Sequence, residues 1–148
     1  MYFDSNRTGE QQIWKMPSNG GDAVQLTRKG GSNATASSDG RFLYYLKATA
    51  GGKVGLWRLS LEGGEEVQVL ESVLNKNYAV VDRGIYFIPD SKPYSVQFLS
   101  FNTGRPATIA RIPREPMYGF SVSPDGRSLL YSATEELRSD LMLVENFR

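Results

Sequence analysis

The side chains in this sequence that recur at regular spacing and carry reactive groups are carboxylates. Asp39 and Asp125 each precede a glycine, Gly40 and Gly126, and Asp82 stands in a slipped version of the same block. Two carboxylates facing one cleft do acid/base work on a glycosidic bond, and a ring of them holds a hard cation such as calcium. The alternative is structural. An Asp can accept hydrogen bonds inside a tight turn while the following glycine takes a positive φ. Recurrence block after block favours the turn, because a catalytic pair needs no copy in every repeat. An Asp-x-Asp-x-Asp-Gly calcium loop is absent. The expectation is a chain with no catalytic, metal-binding or cofactor-binding residues.

Other chemistry is narrowed by composition. The 148 residues include no histidine and no cysteine. A Ser-His-Asp triad, a thiol nucleophile, a zinc-thiolate site and a His-ligated metal are therefore excluded. Ser60 or Ser100 as a nucleophile would lack an imidazole base. Gly20-Gly21 and Gly63-Gly64 neither open a helix nor precede a Lys-Ser/Thr pair, so they read as hairpin turns, not phosphate cradles. Trp14 and Trp57 can be read as a sugar platform. Their matching places in two apolar strands favour packing. With 17 basic against 16 acidic residues, the formal charge of +1 offers no electrostatic case for nucleic acid or an anionic membrane. No apolar run approaches the ~18 residues of a membrane helix. Nothing decides between a bacterial cytoplasm and periplasm.

These residues are carried by a repeat. The aromatics Phe3, Tyr45, Phe87 and Tyr131 recur at intervals of about 42–44 residues. Ile13-Trp14 returns as Leu56-Trp57 and weakens to Gln97-Phe98-Leu99. The Gly-Gly pairs each precede a Val-Gln pair, in Val24-Gln25-Leu26 and Val67-Gln68-Val69. A period near 40–45 with short Val/Tyr/Phe-rich runs between turn residues is the signature of a propeller with four strands per blade. The fold expected is all-β, about four blades of four-stranded antiparallel sheet, with the first and last blades incomplete. The blades are placed at about 1–29, 30–73, 74–114 and 115–148. Strands are expected at 2–5, 12–17 and 23–27, then 34–37, 42–47, 54–60 and 66–70. They continue at 77–81, 84–88, 94–101 and 107–111, then 118–122, 128–133 and 140–145. Trp14, Trp57, Tyr45, Phe87 and Tyr131 are expected to pack between blades. One rim collects basic residues, Lys47, Lys53 and Lys92 among them, and the other is acidic. A basic rim suits an acidic partner, but ordinary solvated loops are the favoured account of it.

Ala36-Ser37-Ser38-Asp39-Gly40-Arg41 and Ser121-Val122-Ser123-Pro124-Asp125-Gly126-Arg127, with Ile-Trp and Gly-Gly downstream, resemble the TolB-type, WD-repeat-like β-propeller repeat. The third unit departs from the pattern, with Gly84 slipped and Phe98 in place of the Trp. The resemblance implies a non-enzymatic module that binds a protein partner or senses a ligand. It implies the C-terminal part of a larger bacterial regulator or kinase-like protein, or the companion propeller of a peptidase or other hydrolase. It also implies that a closing blade ending at its third strand is completed by a strand from elsewhere. A homodimer completing a ring is a further expectation.

Overall fold

The protein is described here from a computed structural model covering residues 1–134. Its strands form four antiparallel sheets that follow one another in chain order. The first holds β1 (Tyr2–Thr8), β2 (Glu10–Lys15) and β3 (Val24–Gln25). The second holds β4 (Ser32–Ala36), β5 (Phe42–Ala48), β6 (Val54–Ser60) and β7 (Val67–Leu70). The third holds β8 (Tyr78–Val81), β9 (Gly84–Phe87), β10 (Ser95–Ser100) and β11 (Pro106–Arg111). The fourth pairs β12 (Pro116–Val122) with β13 (Leu129–Ala133). This is an all-β structure of incomplete propeller blades. The expected strand at 140–145, and the closing segment 135–148, lie outside the described residues.

The middle strands carry apolar residues at consecutive positions because both faces of a blade are covered. In β5, Leu43 and Tyr45 turn toward the first sheet and pack with Ile13, Tyr2 and Leu26. Tyr44 and Leu46 turn toward the third sheet and pack with Tyr78, Ile85, Phe87 and Leu99. The third and fourth sheets meet through Ile88, Val96 and Ile112 against Phe120, Leu129 and Tyr131. Each such side chain, fully buried, contributes roughly 1.5–3 kcal/mol.

Hydrogen bonds stitch the inner strands to one another. The Asn33 backbone N–H donates to Asp4 Oδ2 at 2.9 Å, and the Tyr78 hydroxyl donates to the Asn33 carbonyl. Asn77 Nδ2 donates to the Met117 carbonyl at 2.8 Å, and Asn75 Nδ2 to that of Pro116 at 3.1 Å. Asn33 holds φ 54°, a region that Asn tolerates better than most residues. Burial pushes the Tyr78 phenol up to about 12, so it remains a donor throughout the physiological range.

One strand pair is longer than expected, and one turn expected to be slipped has a physical cause. β1 and β2 run on to a tight turn at Gly9, φ 102°, whose N–H donates to Asn6 at 2.8 Å. In the third sheet Val81 pairs with Gly84, so Asp82 and Arg83 alone make the hairpin. A Cβ on Gly84 would overlap the Leu99 carbonyl oxygen and the Phe98 ring. The glycine that looked slipped therefore answers to close strand approach, not to a turn.

Leu56, fully buried between the second and third sheets, should cost about 2–5 kcal/mol when changed to Ala. Leu130, 73% exposed on the fourth sheet, should change the stability of the single chain, measured at a concentration where it is monomeric, by no more than about 0.5 kcal/mol on the same substitution. Urea denaturation of both variants checks the contrast. Equal losses would contradict the packing described.

Candidate functional site

The two repeated carboxylates sit in the same turn built twice. Ser37 Oγ donates to Asp39 Oδ1 at 2.6 Å, and the Arg41 backbone N–H donates to the same oxygen at 3.0 Å. Ser123 Oγ and the Arg127 N–H do the same for Asp125 Oδ1, at 2.5 and 3.1 Å. The serine hydroxyl in turn accepts an N–H at the entry to the next strand, from Phe42 and from Ser128, at 2.9 Å in both turns. Gly40 and Gly126 take φ 69° and 68°. Arg41 Nε adds an exposed bridge to Asp39 Oδ2 at 2.7 Å. The Ser37 hydroxyl, then the Arg41 backbone and side chain, hold the Asp39 carboxyl down at about 2. Asp125 is lowered as well, first by Ser123. Asp82 has no such turn around it. A carboxylate held this far below neutrality, with its oxygens engaged, is a poor general acid or base at pH 7.

The aromatic residues lie on blade faces in one register. Phe3 pairs with Trp14, which pairs with Gln25. Tyr45 pairs with Trp57, which pairs with Gln68. Phe87 pairs with Gln97, which pairs with Thr108. Gln97, not Phe98, therefore stands where the first two sheets carry Trp. Phe98 is on the opposite face, 4.5 Å from Tyr86 ring to ring. Tyr45 and Phe87 are buried, Trp14 is 9% exposed, and Trp57 and Tyr131 are half-buried.

The lysines expected on the basic rim divide. Lys53 and Lys92 are exposed, and Lys92 lies 5.6 Å from the Tyr94 ring centre. Lys47 departs from the expectation. Its ammonium donates to Glu66, sits 4.5 Å from the Trp57 ring centre, and its side chain is only 12% exposed. The expectation placed Lys47 on the basic rim, with the acidic residues on the other. The long lysine stem instead crosses the blade face to reach the carboxylate.

That pair stands in a crevice of 570 Å³ between the first and second sheets, with Leu26, Leu59 and Trp57 as its apolar surface and Arg28 and Lys29 in its lining. The Trp57 indole N–H is buried without a partner, as is the Tyr45 hydroxyl. Burial, and then the Glu66 carboxylate, push the Tyr45 phenol far up. The same crevice recurs between the second and third sheets at 450 Å³. By register Val69 matches Leu26, Leu99 matches Leu59 and Gly104 matches Gly64. The charged set does not carry over. Pro89 stands for Lys47, Gln97 for Trp57, Pro106 for Glu66, Glu71 for Arg28 and Ser72 for Lys29. The crevice was invisible to a strand-by-strand reading, since its residues come from two blades. The signal available was the lone position of Lys47 at the repeat place of Pro89. Among the described residues, no group of three or more His, Cys, Asp or Glu is placed to hold a metal. No helix there is long and apolar enough to cross a membrane.

In a pH titration by NMR the Asp39 carboxyl should titrate at about 2 and move back toward the ordinary value of about 4 in Ser37→Ala. A folded-state value below the unfolded one means that the turn's contribution is present in full above pH ~4. It is then lost as the pH falls through about 2. A wild-type midpoint near 4 would contradict the geometry.

No protein-family model matches the chain, and no curated protein does. Solved structures do. The chain is similar to TolB from Acinetobacter baumannii, with 20% identity and a TM-score of 0.70 over 92% of this chain and 35% of that one. It is similar to putative TolB from Agrobacterium tumefaciens, at 18% and 0.61 over 90% and 55%. It is also similar to a puromycin-hydrolyzing peptidase of Mycobacterium tuberculosis, at 20% and 0.56 over 85% and 22%. The chain spans about a third of the first of these and about half of the second. Four sheets packed face to face in chain order, the repeated Ser-x-Asp-Gly turns and these likenesses together establish a TolB-like β-propeller fold.

Proposed function

We propose that this chain is a non-enzymatic propeller module that binds a protein partner or senses a ligand, within the C-terminal part of a larger bacterial regulator or kinase-like protein. The observation that carries the non-enzymatic part is the pair of turns. The repeated carboxylates Asp39 and Asp125 serve as turn acceptors, each with a serine hydroxyl and a backbone N–H on one oxygen. Exposed apolar side chains supply the binding part. Met117, Tyr118 and Leu130 are 45%, 64% and 73% exposed on the fourth sheet. This reading places the partner on that sheet, where these side chains offer apolar surface. The second reading is a companion propeller of a peptidase, favoured by the likeness to the mycobacterial enzyme.

A panel of chromogenic esters, amides and aryl glycosides tests the first part. No turnover above buffer is expected, and Asp39→Asn and Asp125→Asn should behave as wild type. A rate removed by either substitution overturns the reading. Peptides selected against the chain from a random display library test the second part, with saturable binding expected and its absence across the library counting against a binding module.

A homodimer that completes a ring is the oligomeric form of this proposal. The fourth sheet of one copy would meet Phe3 and Trp14 on the outer face of the first sheet of the other. Light scattering should then give twice the chain mass, falling to the monomer in Leu130→Lys. A monodisperse monomer at all concentrations removes the dimer.

A further inference from the structure

The two matching crevices provide a comparison inside one molecule. In the first, Lys47, Trp57 and Glu66 form a half-buried cation–π and ion-pair set, with side chains 12% and 21% exposed for the two charges. Taking two charges out of water costs free energy that their attraction offsets only in part. The second crevice carries Pro89, Gln97 and Pro106 in the same places, and its sheets pack around Tyr44, Ile85 and Phe87 without the set. Blade packing therefore does not demand it.

We propose that the first crevice is a binding site for an extended acidic peptide of a partner protein. The proposal rests on the protein-binding reading above and names the chemistry of the partner. Three features select it. Arg28 and Lys29 are exposed cations at the lip, where the second crevice has Glu71 and Ser72, and the single cation lining that crevice, Lys53, is offset by Glu71. Lys47 is neutralised by Glu66, so these two set the local sign against Glu65 alone and draw a peptide carboxylate. Trp57 lines the crevice, and its indole N–H has no partner among the described residues, so it reports on anything that enters beside it. Leu26 and Leu59 give an apolar side chain of the peptide a wall to rest on. Trp14 carries an unpartnered N–H at the matching place of the first sheet. No sheet among the described residues faces it, so it has no second wall.

The test is a titration of the isotope-labelled chain with a capped hexapeptide of alternating aspartate and leucine, read at the indole N–H signals. The chain has two tryptophans, so Trp14 serves as the internal reference. The Trp57 signal should shift saturably while that of Trp14 stays. A peptide of alternating lysine and leucine should leave both unmoved. Reversing both lip charges, Arg28→Glu with Lys29→Glu, should weaken acidic-peptide binding about tenfold or more. Both positions are exposed, so the fold is expected to tolerate the change, and urea denaturation verifies that it does. An unmoved Trp57 signal at millimolar peptide, equal shifts from both peptides, or unchanged affinity in the double variant would each overturn the proposal. Library-selected peptides that bind the double variant as tightly as wild type would remove the crevice and leave the binding module standing.

Discussion

A sheet with large apolar side chains on both faces is stable only when another sheet covers each face. That condition organises this chain. Leu43 and Tyr45 need the first sheet, and Tyr44 and Leu46, interleaved with them on the same strand, need the third. No blade can be assessed alone, because half of its burial belongs to a neighbour. Specificity for the right neighbour comes from polar stitching at the inner strands. Asp4 holds the Asn33 N–H, Tyr78 donates to the Asn33 carbonyl, and Asn77 reaches Met117. Each bond is modest by itself, about 0.5–1.5 kcal/mol net. Each also fixes the rotation of one sheet against the next, which apolar contact alone leaves loose.

The turns serve the same condition. A blade's strands must reverse within a few residues without carrying a bulky side chain into the neighbouring sheet. Ser37 and Asp39 close one reversal with their own side chains, and Ser123 and Asp125 close another. The third sheet solves the problem differently, with the two-residue hairpin Asp82–Arg83 and a glycine at position 84 that lets the Leu99 carbonyl approach. One family of repeats thus tolerates two turn chemistries, provided that the strands leave in the same register.

Most of the architecture was legible in the sequence because it repeats. Aromatic spacing located the sheets, and the expected strand at 54–60 matches β6 residue for residue. Departures at most other strand ends are small. What stayed hidden was set between residues that are distant in the chain. A run such as Gln97-Phe98-Leu99 offers two registers that differ by one residue. A one-residue slip exchanges the two faces of a strand, and only the pairing of Gln97 with Phe87 decides. The Lys47–Glu66 pair was hidden for a different reason. A rim assignment places a charge by its backbone, whereas a lysine carries it about 6 Å away along an apolar stem.

The outer halves of the blades show what happens where sheet-on-sheet cover thins. Lys47 lies over Trp57, and Arg7 lies 4.7 Å from the ring centre of Trp14 and 5.3 Å from that of Phe3. Both cations use the apolar stem to shield the ring and the charged head to meet its π face. On the first sheet this leaves Trp14 only 9% exposed although no other sheet among the described residues covers it. The arrangements differ in what they do with the charge. Arg7 is exposed and its Nε donates to Ser5 Oγ at 3.2 Å, and among the described residues no carboxylate lies within ion-pair distance of it. Lys47 is drawn into Glu66 and away from water. Covering an indole needs only the first arrangement. The second adds a desolvated pair that cover alone does not explain, and it occurs at the one crevice whose lip is lined by Arg28 and Lys29.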